Sequence, residues 1–340
     1  MKRRRLGKSG LMVSEIGLGT MTFGTQCAGK IEAFKIMDHS IAEGINFFDT
    51  AEIYPVPPTK KLAGRTETII GEWLKTTSRD KVLIASKIAG PAHGWFNPPV
   101  RDGNAAIDGI SIRRALEGSL RRLGTDYLDL YQIHWPDTGM RMEDSLETLD
   151  ALVKEGKVRA IGCSNESSHG LMKALWTADK YGWRPFDTIQ NNFSINNRRF
   201  EDELAETCRQ ESVSLLPYSP LAGGVLSGKY NTHTIPKDAR FYHYLTNGEP
   251  RQKAMAKRFV NDKSLALTQR ILEISEELSL SPITLATAWS KQHDFVASTL
   301  IGVSNFEQFA PILEAKNLVL DDETLKRIDS ACEAYLYPMG

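Results

Sequence analysis

Residues 128–162 read LDLYQIHWPDTGMRMEDSLETLDALVKEGKVRAIG. Leu128 to Ile133 is a short apolar run of strand length. Asp144 to Glu155 carries Leu146, Leu149, Leu152 and Val153 at helical spacing, Gly156 supplies a stop, and Val158 to Gly162 is apolar again. Strand, helix and strand in that order, with continuous rather than alternating apolar runs, predict parallel strands buried on both faces.

Working outward, the same unit recurs. Strands are predicted at Ile16 to Gly19, Ile45 to Phe48, Val82 to Ser86, Leu128 to Ile133, Val158 to Gly162, Thr188 to Gln190, Val213 to Pro217 and Ala297 to Ile301. Helices are predicted between them at Glu32 to Glu43, Thr66 to Lys75, Ile112 to Leu123, Asp144 to Glu155, His169 to Tyr181, Arg199 to Glu211 and Pro282 to Gln292, with Gly44, Gly124, Gly156 and Gly182 as stops. Eight such strands predict an α/β protein, a closed (β/α)8 TIM barrel, which needs roughly 250 residues. The remainder of the 340 residues has visible homes. Lys2 to Val13, centred on Gly7-Lys8-Ser9-Gly10, is predicted as an N-terminal β-hairpin, and Asp321 to Tyr335 as an extra C-terminal helix. Long loops follow strands 3 and 7 of the barrel, Ile88 to Gly109 and Leu221 to Lys263. Loops of that length in a compact domain usually carry function. No linker or internal repeat divides the chain, so residues 1–340 are expected to form one barrel domain.

The 42 basic and 42 acidic side chains leave no net charge, which argues against a dedicated nucleic-acid binder. The basic run Lys2 to Arg5 is too short to alter this. No window reaches the length of a membrane span and the N-terminus lacks an apolar signal core, so a cytoplasmic protein without a membrane partner is expected. Cys27, Cys163, Cys208 and Cys332 are far apart and form no metal-binding pattern; reduced, mostly buried thiols and no metal are expected.

In a barrel of this type the active site lies at the C-terminal strand ends. Those positions are polar: Asp49 and then Tyr54, Lys87, His134, Ser164 with Asn165, Gln190, Tyr218 with Ser219, and Gly302 with Ser304. A single polar residue leaving a strand often only caps the next helix. Asp, Tyr, Lys and His on one rim is a set with chemistry. A phenol is a poor acid at neutral pH, but a nearby ammonium favours its ionised form, and a carboxylate can hold that buried ammonium charged. Tyr54, Lys87 and Asp49 fit those three roles, and His134 can orient a substrate oxygen. None is a strong nucleophile, so the expected chemistry is protonation of a carbonyl oxygen while another group delivers electrons.

Competing motifs fail. Gly17-Leu18-Gly19 has Thr22 where a dinucleotide fingerprint requires its third glycine, and Gly223 through Lys229 resembles a Walker A loop but continues with Tyr230 in place of the magnesium-binding hydroxyl. No HExxH or GxSxG occurs.

With Asp49, Tyr54, Lys87 and His134 assembled, the chain resembles the aldo-keto reductase superfamily. The similarity extends through GLGTMTFG from Gly17, GINFFDTAEIYPVPP from Gly44, IASKIAGP from Ile84, TDYLDLYQIHWP from Thr125, IGCSNE from Ile161, TIQNNFS from Thr188 and LLPYSPLAGGVLSGKY from Leu215. FVASTLIGVS from Phe295 and AYLYP from Ala334 complete it. The pattern looks most like bacterial Tas-type reductases, near the potassium-channel beta subunits. The resemblance implies NADPH-dependent reduction of aldehydes or ketones, with Asp49, Tyr54, Lys87 and His134 as the catalytic tetrad and Tyr54 as general acid. It implies that Tyr218 stacks on the nicotinamide, that Ser164, Asn165 and Gln190 bind its carboxamide, and that Ser219, Pro220, Leu221 and Gly223 follow the pyrophosphate. Gly19, Thr20, Met21, Asp49 and Gly302 complete the cofactor floor; Ser304 and Gln308 lie near the adenosine, while Lys229 and Arg240 recognise the 2′-phosphate that distinguishes NADPH from NADH. Relatives often carry acidic and Asn residues where this chain has Pro311 and Ile312, which weakens the expected adenine contacts. Phe23, Tyr54, Trp95, Phe96, His134 and Trp135, with Met21, are expected to line an aromatic pocket for a small-molecule carbonyl substrate. Two other readings use the same residues: a cofactor-sensing binding module akin to the channel subunits, and an NADP-dependent sugar or alcohol dehydrogenase working oxidatively. The natural substrate and oligomeric state are not legible.

Overall fold

A computed structural model describes residues 1–25 and 29–339; Cys27 lies outside the described residues. The barrel strands are β3 (Ile16–Gly19), β4 (Phe47–Asp49), β5 (Leu83–Ile88), β6 (Leu128–Ile133), β7 (Val158–Ser164), β8 (Thr188–Gln190), β9 (Ser214–Leu215) and β10 (Thr299–Ile301). All neighbours pair in parallel in the order β10-β3-β4-β5-β6-β7-β8-β9. Parallel bridges Leu215 to Val296 and Tyr218 to Leu300 close the ring. The fold is therefore the expected (β/α)8 barrel.

The hairpin β1 (Arg3–Arg5) and β2 (Met12–Ser14) precedes it, antiparallel and turned at the left-handed Gly7 and Gly10. Leu6, Leu11 and Val13 from this hairpin pack with Phe47, Ala85, Leu130, Ala160, Leu216, Ala297 and Leu300, filling the N-terminal end of the barrel. A larger apolar layer separates the strands from the surrounding helices. Continuous apolar strands thus satisfy two buried faces at once.

The helices α1 (Lys30–Ala42), α2 (Arg65–Leu74), α3 (Gly109–Leu123), α4 (Met142–Lys154), α5 (Ser168–Tyr181) and α6 (Leu204–Glu211) alternate with the strands. Where side-chain caps occur they follow ordinary physics: Asp108 and Ser167 accept from the first turns of α3 and α5, and Gly124 and Gly182 end them in the left-handed region. Three differences from the sequence reading stand out. The strand predicted at Val213 to Pro217 shrinks to two residues, although Leu216 still donates to the Ile189 carbonyl and Pro217, with no N–H to give, accepts from Leu300. The connection Leu221 to Lys263 is largely helical, containing α7 (Arg240–Asn247) and α8 (Pro250–Phe259) before α9 (Asp262–Glu277) begins. The predicted helix Arg199 to Glu211 is also broken, into a short 3-10 turn and α6. Beyond these come α10 (Pro282–Gln292), α11 (Ala310–Glu314) and α12 (Asp322–Glu333), the last being the predicted terminal helix. Cys163, Cys208 and Cys332 are buried free thiols.

Gly71 on α2 shows how tightly this outer layer is packed. A Cβ there would lie 2.2 Å from the Arg122 carbonyl oxygen of α3. Alanine would gain about 1 kcal/mol in helix propensity, but backbone overpacking typically costs 1–3 kcal/mol. Gly71→Ala is expected to lower the urea midpoint despite the better helix former; an unchanged or raised midpoint would show that α2 and α3 can separate without cost.

Candidate active site

Asp49 ends β4 and Lys87 lies near the end of β5, one residue before the strand finishes. Both are buried. Lys87 Nζ donates to Asp49 Oδ2 at 2.6 Å and to the Thr50 carbonyl at 2.8 Å. The other carboxylate oxygen accepts from Gln190 Nε2 at 2.9 Å and Gln132 Nε2 at 3.3 Å. Burial pushes the Lys87 amine below its ordinary pKa, and the Asp49 carboxylate opposes that shift. Gln132 was not singled out by sequence reasoning; its signal is an amide inside the apolar run Leu128 to Ile133.

Tyr54 and His134 flank this pair. The Lys87 ammonium lies 5.0 Å from the Tyr54 ring centroid. The Tyr54 and His134 rings meet edge to face with centroids 5.7 Å apart. His134 is parallel to Trp135 at 3.8 Å, and Trp135 meets Phe96 at 5.6 Å. The expected lowering of the Tyr54 pKa is not what this arrangement produces. Burial raises it well above the ordinary phenol value, and the Asp49 and Tyr218 charges add to the rise. The Lys87 charge is engaged by Asp49 and does not reverse that rise. Burial, reinforced by Lys87, holds His134 well below the ordinary histidine value, so its ring is neutral at pH 7. Its Nδ1 is buried and has no hydrogen-bond partner.

The apolar group around this rim is Ala51, Ile53, Tyr54, Ala89 and Val100, joined by Met21, Phe96 and Trp135. Two expected pocket residues sit elsewhere. Phe23 is fully buried in the layer between strands and helices, next to the Ile16 and Leu18 strand, and does not reach the rim group. Trp95 is 60% exposed, with the Arg258 guanidinium 5.8 Å from its ring. Gly90 allows the loop after β5 to approach Trp135, because a Cβ there would stand 2.1 Å from the Trp135 carbonyl oxygen.

The residues expected to hold a dinucleotide also converge. Tyr218 donates to Asn165 Oδ1 at 2.7 Å, Asn165 Nδ2 donates to the His134 carbonyl at 2.9 Å, and Ser164 Oγ donates to the Gln190 carbonyl at 2.6 Å. Thr20 Oγ1 donates to the Asp49 carbonyl at 2.8 Å. Gly19 and Gly302 face one another on adjacent strands, Gly302 lying where a Cβ would come 3.7 Å from the Gly19 carbonyl oxygen. Ser304 and Gln308 bond to each other, the Ser304 N–H donating to Gln308 Oε1. Pro311 and Ile312 serve the helix layer: the Pro311 carbonyl accepts from Thr284, and Ile312 is buried.

After Ser219, Pro220 and Leu221, the backbone at Ala222, Gly223 and Gly224 has φ of 49°, 66° and 95°. The N–H groups of Ala222 and Gly224 donate to the Ser219 and Leu221 carbonyls at 2.8 Å, so the turn is closed by its own hydrogen bonds. Lys229 and Arg240 point into the same turn. Cβ atoms built on Gly224 and Gly223 would stand 3.0 Å from Lys229 Nζ and 2.9 Å from an Arg240 nitrogen. Burial lowers the pKa of both cations, and for Lys229 the neighbouring Arg240 lowers it further. Neither makes a salt bridge among the described residues. Two like charges held together at a glycine turn fit an anionic group such as a phosphate. Among the described residues no cluster of His, Cys, Asp or Glu is placed to hold a metal, and no helix is long and apolar enough to cross a membrane.

Comparison with known proteins gives a consistent result. A profile of the Aldo/keto reductase family matches residues 15–333. The chain is 41% identical to "Protein tas" of Escherichia coli (strain K12), with 99% of both chains covered. It is 34% identical to "Uncharacterized oxidoreductase YrpG" of Bacillus subtilis (strain 168), covering 97% of this chain and 95% of that one. A "Probable voltage-gated potassium channel subunit beta" of Arabidopsis thaliana is 31% identical, covering 94% and 92%.

The buried pair makes a stability test. Asp49→Asn leaves Lys87 without its counter-charge, and breaking a buried pair costs about 3–5 kcal/mol. Adding Lys87→Met should restore much of that in urea denaturation. The folded Asp49→Asn protein would release the Lys87 proton below 10.5, the unfolded chain at 10.5, so the deficit should narrow as pH rises toward that value. A deficit independent of pH would show that Lys87 is already uncharged.

Proposed function

The chain belongs to the aldo/keto reductase family and so is an oxidoreductase, and from that premise we propose that it reduces aldehydes or ketones to alcohols with NADPH, Tyr54 donating the proton. The observation that carries the reading is the convergence of Tyr54, His134 and the buried Lys87–Asp49 pair at the C-terminal mouth of the barrel. The residues fit the nucleotide: Tyr218 for the nicotinamide face, Ser164, Asn165 and Gln190 for the carboxamide, Ser219 to Gly223 for the pyrophosphate, and Lys229 with Arg240 for the 2′-phosphate. Gly19, Thr20, Met21 and Gly302 would form the floor beneath it, and Ser304 with Gln308 the adenosine end. When bound, reduced nicotinamide supplies the hydride.

The protein's own part is the proton. A phenol held well above its ordinary pKa keeps its hydrogen through substrate binding and donates only to a stronger base. The oxygen of a carbonyl undergoing reduction becomes such a base, more basic than any phenolate. Neutral His134 can hydrogen-bond that oxygen without competing as an acid. The Lys87 ammonium, 5.0 Å from the ring, stabilises the phenolate that remains. Apolar Met21, Phe96 and Trp135 beside Tyr54 exclude water and suit an aromatic or medium-length carbonyl compound.

A second reading, a cofactor-sensing binding module, has the channel-subunit relative in its favour. Turnover separates the two. Following NADPH absorbance across an aldehyde, ketone and sugar panel should reveal reduction, whereas copurification with a membrane protein and no turnover would favour the module.

Tyr54→Phe removes only the hydroxyl, and the loss of general acid catalysis should lower kcat by about 10²- to 10⁴-fold while NADPH binding persists. A near-normal kcat would remove Tyr54 from the proton-donor role. Arg240→Ala should weaken NADPH by about one to two decades, the worth of a charge-assisted hydrogen bond, and leave NADH unchanged. Equal losses for both cofactors, measured by tryptophan fluorescence quenching, would take Arg240 out of the phosphate site.

A further inference from the structure

One ion pair outside the four expected catalytic residues lies between two of them. Glu52 is two residues before Tyr54, and Ala89 is two residues after Lys87. Glu52 Oε1 accepts from the Ala89 N–H at 2.7 Å, and Arg101 Nη2 donates to the Ala89 carbonyl at 2.8 Å. Arg101 Nη1 donates to the same Glu52 oxygen, closing the contact. Both polar groups of Ala89 are therefore held by one buried pair, with side-chain exposures of 5% for Glu52 and 12% for Arg101. The Glu52 backbone N–H also donates to the Lys87 carbonyl at 3.2 Å, and Arg101 Nε donates to the Asn104 carbonyl at 3.1 Å. Three segments meet here: the one carrying Tyr54, the end of β5 carrying Lys87, and the loop 92–104.

The loop adopts an unusual backbone to present this guanidinium. Arg101 and Asp102 have φ of 45° and 53°. Side-chain-bearing residues stay in that region only where surrounding contacts hold them. Burial raises the Glu52 pKa and the Arg101 charge opposes the rise, so each group depends on the other.

We propose that Glu52 and Arg101 are positioning residues for carbonyl reduction, fixing the Tyr54 hydroxyl relative to Lys87 by clamping the Ala89 peptide between the two segments. The proposal rests on the reductase reading above. A planar guanidinium can bond Glu52, Ala89 and Asn104 together; an ammonium is a single point with no such fork. Misplacing a reacting group by about 1 Å can cost on the order of 10²-fold in rate.

The test compares Arg101→Gln, Arg101→Lys and Glu52→Gln with the unaltered protein, labelled with 13C at the tyrosine ζ carbon. The Tyr54 resonance is assigned by its loss in Tyr54→Phe and titrated with pH; kcat, KM and the NADPH dissociation constant are measured alongside. Arg101→Gln should displace the Tyr54 resonance and its titration and lower kcat by about 10- to 100-fold, with NADPH affinity within about twofold. Arg101→Lys, which keeps the charge and loses the fork, should recover only part of kcat. A purely structural anchor would lower the melting temperature of all three variants while the Tyr54 titration coincides with that of the unaltered protein; that result overturns the proposal. If Arg101→Gln does not fold, Arg101→Lys and Glu52→Gln carry the same comparison. If the unaltered protein reduces no carbonyl while the resonance still moves, the reductase reading falls and the positioning role stands.

Discussion

A charged amine in the middle of a protein needs a reason to remain there. Lys87 is fully buried among β-strands, and its ammonium is held by Asp49 and the Thr50 carbonyl, while the amides of Gln132 and Gln190 donate to the other oxygen of the Asp49 carboxylate. Four barrel strands, β4, β5, β6 and β8, supply or flank those groups, so the geometry of the ring and the charge at its mouth are one problem with one solution. The desolvation that makes the pair costly also raises the Tyr54 pKa, and the Asp49 charge adds to that rise. The neutral imidazole of His134 follows from the same cause: an ammonium nearby and little solvent disfavour a second positive charge.

The two long loops divide the remaining work. The one after β5 joins the rim group through Phe96 and is tied down by Arg101. The one after β9 forms a glycine turn under two cations and then returns as α7 and α8. They meet where Arg251 lies 4.4 Å over the Phe96 ring and Arg258 lies over Trp95. The two loops are thus joined through Arg251 and Arg258, exposed side chains, over Phe96 and Trp95, while the ion pair beneath is buried.

Most of the architecture was legible because a parallel barrel writes itself in continuous apolar runs with polar residues at one end of each. The catalytic candidates were legible for the same reason: Asp49, Lys87, His134 and Gln190 interrupt or terminate those runs. What escaped reading depended on three-dimensional closure. Phe23 follows a strand and is aromatic, like the residues that line the rim, yet it turns inward to the helix layer. Gln132 reads as one polar residue in a strand until the ring brings it to Asp49. Arg101 sits in a loop whose composition resembles any surface connection, and only folding shows that Glu52 waits for it. The direction of the Tyr54 shift was misjudged because charge pairing between Lys87 and Asp49 was counted without the desolvation of the phenol itself.

The hairpin at the start of the chain has a bearing on how the molecule is made. Arg4 reaches the carbonyls of His293 and Val296, and Gly7 donates to Ser214. Those three bonds therefore wait for residues 214 to 296, whereas the β1–β2 pairing and the packing on Phe47 and Ala85 need only the first part of the barrel. Contacts of such long sequence separation form late and slowly. Locking the hairpin onto the floor of the barrel is consequently a late act of assembly, because without the last strand Leu6, Leu11 and Val13 would lack Ala297 and Leu300 from the layer they share.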